Sequence, residues 1–435
     1  MKEQLRRLTK RKFFRNVAIV ASGTAGAQAI TMIFSPVVTR LYGPEAFGLL
    51  GTFVALVAMI APLAALSYPI AIVLPKEDNE AKNLIRLSIY ISLIIATVLT
   101  IAILIAGHRL MILIGAGSIA AFALLMPLNV LFGAWLQVSQ QWMIRKKKFQ
   151  ATAKIAVVQA LALNFAKVCI GWFHPVAAVL IILTTIGTAF HVVMLYIGGK
   201  TKEKGNDFLG QPPPRKPLLE IAKNYYDFPL YRSPQVFILA ISKNLPVLML
   251  AVFFGPVSAG YYAICRRVLT IPSGLITNAV GDVFYPRLSE ANHRGENLTK
   301  LIVKATIALS VVGFFPFAAI VAFGPRLFEF VFGAEWVTAG EYARWLSLWL
   351  FFMFINRPSV VAVPILGIQK GFLVYELFST GSKLLAMYVG FIIFNDDKLV
   401  VALLGVFGAL SYIFLILWVI KLSVYYRKGD QINLK

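Results

Sequence analysis

Seven basic residues sit inside long apolar runs of this chain: Lys167, Arg232, Lys243, Arg266, Arg267, Arg357 and Lys383. A cation at the centre of a bilayer is costly unless it faces water, protein or an opposite charge. Three acids, Asp227, Asp282 and Glu376, fall in or at the edge of the same runs, too few to neutralise seven cations. Lys243 and Arg266 are placed ~12–17 Å below one end of adjacent runs by a helical rise of ~1.5 Å per residue. Arg357 and Lys383 fall near the middle of theirs, and Glu376, Thr380 and Lys383 share one helix face. Arg232 lies close enough to the end of its run to snorkel. A cavity lined by Lys243, Arg266, Arg267, Arg357 and Lys383 would suit phosphate or pyrophosphate, the natural guests of such donors.

Two helical stripes add polar surface. Arg266, Thr270, Ser273, Thr277 and Gly281 recur at helical spacing, and Arg267, Gly274, Asn278 and Asp282 form the adjacent stripe. An earlier run carries Thr24, Gln28, Thr31, Ser35 and Thr39. Thr270, Ser273, Thr277, Asn278, Gln28 and Ser35 are therefore candidate cavity-lining residues. Small and hydroxyl side chains serve equally well in helix–helix packing, and the spacing leaves both readings open. Glu376 and Asp282 are the candidates for ion coupling.

The elements that must hold these groups are membrane helices. The chain has 435 residues, 59% of them hydrophobic and 14% charged, with a mean hydropathy of +0.77. Its apolar runs are long enough to cross a hydrocarbon core of ~30 Å as helices, and the alternating ~10-residue segments of a membrane barrel are missing. Twelve spans are expected, near 16–38, 47–74, 87–107, 118–142, 155–173, 175–198, 229–254, 258–282, 303–324, 345–366, 371–394 and 399–420. With the N-terminus inside, 30 of the 42 Lys and Arg fall in cytoplasmic segments and five in external loops. This bias predicts that both termini are cytoplasmic, and it accounts for most of the net charge of +23 without nucleic acid as a partner. Cys169 and Cys265 lie in apolar runs with neither metal nor disulfide spacing. No nucleotide-binding loop, zinc motif or large soluble domain is seen, so a transporter without cofactor is expected, with no metal, driven by a proton or sodium gradient or by the gradient of its cargo.

The domain plan is a basic N-terminus (1–15), a first lobe of six spans (16–198), a Lys- and Pro-rich linker (199–228), a second lobe of six spans (229–420) and a basic C-terminus (421–435). A short repeat joins the lobes. Tyr42-Gly43-Pro44 with Gly48 matches Phe254-Gly255-Pro256 with Gly260, each element displaced by 212 residues. With an even number of spans per lobe, the repeats are parallel and related by an axis along the membrane normal.

Longer motifs extend the pattern: Thr39-Arg40-Leu41-Tyr42-Gly43-Pro44 with Phe47-Gly48, Ala71-Ile72-Val73-Leu74-Pro75-Lys76 with Glu80-Ala81, Phe228-Pro229-Leu230-Tyr231-Arg232-Ser233-Pro234, and Gly260-Tyr261-Tyr262 through Arg267-Val268-Leu269 to Pro272. Over about residues 12–425 the chain resembles the Wzx-type polysaccharide flippases of the multidrug/oligosaccharidyl-lipid/polysaccharide exporter superfamily. The resemblance implies two six-helix lobes opening in a V in the bacterial cytoplasmic (inner) membrane. It also implies export of an undecaprenyl-pyrophosphate-linked oligosaccharide for O-antigen, capsule or exopolysaccharide, with membrane lipids and a polysaccharide polymerase or export machinery as partners. Arg40 would then attract the headgroup at the external mouth. Similar sequences often carry a charged group where this chain has Ser67-Tyr68-Pro69, so no role of that group transfers. The alternatives are a multidrug/ion antiporter of the same superfamily, which calls for an acidic or aromatic cavity, and a lipid II-type flippase, which typically has fourteen spans.

Overall fold

The computed structural model describes the backbone of residues 2–113, 116–199 and 217–427, and the side chains of those from 22 onward except 108, 110, 113 and 427. The whole of the basic N-terminus (1–15), the 200–216 part of the linker and residues 428–435 therefore lie outside the described side chains. The described chain is helical: α1 (Lys2–Ile60), α2 (Tyr68–Ala71), α3 (Asp78–Leu113), α4 (Leu125–Arg145), α5 (Phe149–Phe173), α6 (Ala177–Gly199), α7 (Leu218–Asn224), α8 (Ser233–Phe254), α9 (Pro256–His293), α10 (Leu298–Phe332), α11 (Val337–Ile355), α12 (Arg357–Ile365), α13 (Gln369–Phe394) and α14 (Asp397–Arg427). Among the described residues nine segments are long and apolar enough to cross a membrane. Helices α4 and α9, both on expected spans, are not among the nine; in α9 the polar stripes around Arg266 and Arg267 dilute its apolar content. The protein is thus an all-α, multi-pass membrane protein.

Glycine and proline punctuate this fold where the repeat predicts. Gly43 breaks α1 with φ 68° and ψ 171°, and Gly255 ends α8 with φ 85° and ψ 179°. Both need the positive φ that glycine reaches without a Cβ clash. Each is followed by a proline, which lacks the N–H that a first helical turn leaves unpaired anyway.

The chain forms two compact units, Met1–Gly260 and Tyr261–Lys435. Lipid tails offer no hydrophobic drive for helix association, so close approach and polar ties decide which helices pair. In the first unit α1 packs on α5: Gly23 faces Ala153, and Gly171 receives the Tyr42 ring. Asn164 Nδ2 donates to Thr31 Oγ1 at 3.2 Å, and the Tyr42 hydroxyl to the Lys167 carbonyl at 2.8 Å. Between α4 and α6, Asn129 Nδ2 donates to Thr185 Oγ1 at 3.1 Å. In the second unit α10 meets α11 backbone to backbone at Gly324 and Gly340, and α14 presents Gly405 and Gly408 to Trp345 and Trp349 of α11.

Two expected spans are interrupted. The run 47–74 leaves helix after Leu63, and Leu66 (φ 47°) and Ser67 (φ 59°) turn the chain into α2. Two side-chain-bearing residues in the left-handed region are costly. The Ser233 hydroxyl of α8 braces the segment by donating to the Pro62 carbonyl at 3.1 Å. The run 345–366 divides at Asn356 into α11 and α12, ahead of Pro358.

Candidate functional site

The repeat closes on itself within the first unit. A Cβ on Gly48 would overlap the carbonyl of Pro256, and one on Gly260 would overlap the carbonyl of Pro44. The pairing is reciprocal, as at a two-fold interface: the proline of each motif rests on the glycine of the other.

The cations expected at a headgroup site divide between the units. Arg40 on α1 and Lys243 on α8 belong to the first, and both are exposed. Arg266, Arg267, Arg357 and Lys383 belong to the second. On α9, Arg266 is half-buried and Arg267 is exposed. Among the described residues no ion pair involves Arg267. Asn278 and Asp282, further along the same helix, are also exposed.

The hydroxyls of that helix are already bonded. Thr270 donates to the Arg266 carbonyl at 2.7 Å, Ser273 to Leu269 at 2.6 Å and Thr277 to Ser273 at 2.9 Å. Such back-bonding is a common fate of Ser and Thr within helices. Ser273 also lines an apolar cleft of about 130 Å³ with Val268, Pro272, Gly313, Phe317 and Phe354, too small for a pyrophosphate sugar. On α1, Thr31 is engaged by Asn164 of α5, and the Ser35 carbonyl accepts from Thr39 at 2.9 Å. Gln28 is half-buried there, and its Oε1 is buried without a hydrogen-bond partner.

Arg357 is tied into the scaffold. Its Nε donates to the Thr277 carbonyl at 3.1 Å, and its guanidinium lies against Gly281, where a Cβ would overlap it. Lys383 on α13 points over the Trp349 ring, with Nζ 5.2 Å from its centroid. Half-buried Glu376, on the same helix, lies within electrostatic reach of Lys383, Tyr375 and Tyr412. The structure therefore brings Arg357 to α9 and Lys383 into the field of Glu376.

Sequence reasoning passed over Arg145. This residue opens a basic burst and reads as a topology charge, yet it organises the turn after α2. Its Nε donates to Asp78 Oδ1 at 3.0 Å, and Nη1 donates to the carbonyls of Pro75 at 2.7 Å and Ile72 at 3.1 Å. Lys146 pairs with the other Asp78 oxygen. Helix α7 docks beside this clamp through Ile221, which joins Tyr68, Ile72, Leu84 and Trp142 in one buried cluster. The Tyr68 hydroxyl donates to the Ala222 carbonyl at 3.2 Å, and the Tyr225 hydroxyl to Glu80 at 3.1 Å. Burial and the Glu80 carboxylate push the Tyr225 phenol up to about 12. The signal that finds Arg145 is the repeat: displaced by the same 212 residues, it falls on Arg357.

Comparisons with known proteins agree with this architecture. The family model for polysaccharide biosynthesis proteins matches residues 37–341, more than half of the chain. The succinoglycan biosynthesis transport protein ExoT of Rhizobium meliloti (strain 1021) is 20% identical over 337 residues, covering 77% of this chain and 65% of that protein. The chain thus spans just under two thirds of that relative's length. Among solved structures, an inward-facing multidrug-resistance MATE-family transporter of the MOP superfamily matches with a TM-score of 0.73 at 17% identity, covering 93% of this chain and 96% of the other. The lipid II flippase MurJ in an inward closed conformation matches with a TM-score of 0.66 at 15% identity, covering 94% and 92%. Built on the fold of these transporters and matched along most of its length by the family model, the chain belongs to the polysaccharide biosynthesis protein family.

Proposed function

We propose that this protein is a flippase that carries an undecaprenyl-pyrophosphate-linked oligosaccharide from the cytoplasmic to the external leaflet of the bacterial inner membrane by alternating access. The lipid tail stays in the bilayer while the pyrophosphate and sugars pass the cations of the second unit, Arg266, Arg267 and Lys383; Lys243 of the first unit is a separate cationic contact for the headgroup. Arg357 contributes mainly by holding α9, and Arg40 draws the headgroup at the external mouth. Glu376 or Asp282 couples the cycle to protons or sodium, and the product feeds a polymerase or export machinery.

One observation carries this reading. Arg267 lies eleven residues into α9, about 16 Å along the helix at ~1.5 Å per residue, and it is exposed with no described ion pair. A guanidinium at that depth needs water, protein or an anion to meet it, and an exposed one is left with water or an anion. The surface is also basic, which suits a pyrophosphate better than a cationic drug. Complementation of a strain lacking its own flippase tests the proposal. Arg267→Ala should abolish surface polysaccharide at normal membrane levels of the protein, and Arg267→Lys should restore a large part of it. Full export by Arg267→Ala would remove the reading.

A further inference from the structure

We propose that Trp349 is part of the same headgroup site: it positions the Lys383 ammonium and offers its own indole Nε1–H to the phosphate oxygen that Lys383 attracts. The inference rests on the lipid-pyrophosphate reading above and assigns that site a second donor.

The geometry comes from three helices of the second unit. Trp349 projects from α11, and the five-membered part of its ring is pressed against Gly408 of α14, where a Cβ would overlap Cγ, Cδ1 and Cδ2. One turn earlier on each helix, Gly405 meets the backbone of Trp345, so α11 and α14 hold the indole from one side. From α13, Lys383 brings its Nζ to 5.2 Å from the ring centroid. The indole is thus fixed between a glycine and an ammonium. A ring face attracts a cation, and Trp does so best among the aromatic side chains, so the long Lys383 side chain is held in one place.

The indole Nε1 is buried and has no hydrogen-bond partner. Buried N–H donors are nearly always satisfied, and an orphan of this kind calls for an explanation. Here the orphan belongs to the ring over which Lys383 sits. A full positive charge and an N–H donor gathered around one indole, with no acceptor supplied to the N–H, match an oxyanion. Glu376 is the acid in electrostatic reach of Lys383, but it carries no described ion pair to it. A phosphate oxygen entering beside the ring would meet both donors.

The test is binding of undecaprenyl pyrophosphate, without sugars, to the purified full-length protein in lipid nanodiscs, with gel filtration confirming that each variant is folded. Lys383→Ala should weaken binding tenfold or more. Trp349→Phe keeps a ring on Gly408 but removes the N–H and should weaken binding three- to tenfold. In the Lys383→Ala background, Trp349→Phe should change affinity by less than twofold, because the ring acts with the ammonium. Wild-type affinity in Trp349→Phe, or fully multiplicative losses in the double variant, would overturn the role of Trp349 while leaving the headgroup reading in place. Wild-type affinity in Lys383→Ala would overturn the headgroup role of Lys383, and this inference with it.

Discussion

Arg145 and Arg357 stand 212 residues apart, each just beyond or at the end of a helix, α4 or α11, and each reaches toward the second helix of its own repeat. Their targets differ. In the first repeat that helix breaks down after Leu63, and Arg145 gathers the loop that follows through Ile72, Pro75 and Asp78. In the second repeat α9 runs from Pro256 to His293, and Arg357 rests on intact helix at Thr277 and Gly281. The same displacement sets Val54 and Ala55 against Arg266 and Arg267, and Ala58, Ala61 and Ala65 against Thr270, Ser273 and Thr277. The lesson is a division of labour. Both repeats keep the arginine that ties the scaffold, while the second alone keeps an unbroken helix with cations on it.

The largest effect is expected at the clamp. Arg145→Ala takes from Asp78 one of its two cationic partners and leaves three carbonyls of the 72–78 turn, those of Ile72, Pro75 and Lys76, without their arginine donor, a loss of about 2–4 kcal/mol after allowing for the 44% exposure of Asp78. Arg357→Ala removes one described hydrogen bond and the packing on Gly281, about 1–2 kcal/mol. Thermal unfolding of the purified variants gives the order, and equal losses would break the distinction between the two arginines.

Next comes the contact that the repeats share. Gly48→Ala and Gly260→Ala should each cost about 1–3 kcal/mol through overpacking against a proline carbonyl. Gly274→Ala, where a Cβ meets open space, should not lower the unfolding midpoint. A large difference between Gly48→Ala and Gly260→Ala would show that the pairing is not symmetric in energy.

The smallest effect belongs to the first repeat alone. Folding raises the Tyr225 phenol from 10.0 to about 12. The neutral phenol is the favoured folded form, so its contribution is complete below pH 10 and is lost as pH rises through about 12. Tyr225→Phe should flatten the alkaline part of a stability–pH curve between pH 10 and 12. An unchanged slope there would remove Tyr225 from the docking of α7.

Much of this fold can be read from the residues. The apolar runs announce the helices, and Gly43-Pro44 and Gly255-Pro256 announce both the turns and the repeat, because few other residues suit those backbone positions. The break at 61–67 is hidden. Ala-Pro-Leu-Ala-Ala-Leu-Ser is apolar enough to continue a span, and the residues that take positive φ, Leu66 and Ser67, are not ones that sequence marks for it. Arg145 hides for another reason: within Arg145-Lys146-Lys147-Lys148 one charge resembles the next until the carbonyls around it are located. The stripe of Thr270, Ser273 and Thr277 is legible as polar, but periodicity cannot tell a hydroxyl facing water from one bonded to its own helix. Trp349 and Lys383 meet only because α11, α13 and α14 pack together, which no local pattern contains.

The central claim is that cations of the second repeat handle an anionic lipid headgroup. It is tested most directly by translocation of an undecaprenyl-pyrophosphate-linked oligosaccharide across proteoliposomes holding the purified protein. The account predicts transport by the wild type, at least a tenfold loss in Arg266→Ala and Arg267→Ala, and little change in Val54→Ala at the matching place in the first repeat. Transport by both arginine variants at the wild-type rate would contradict it.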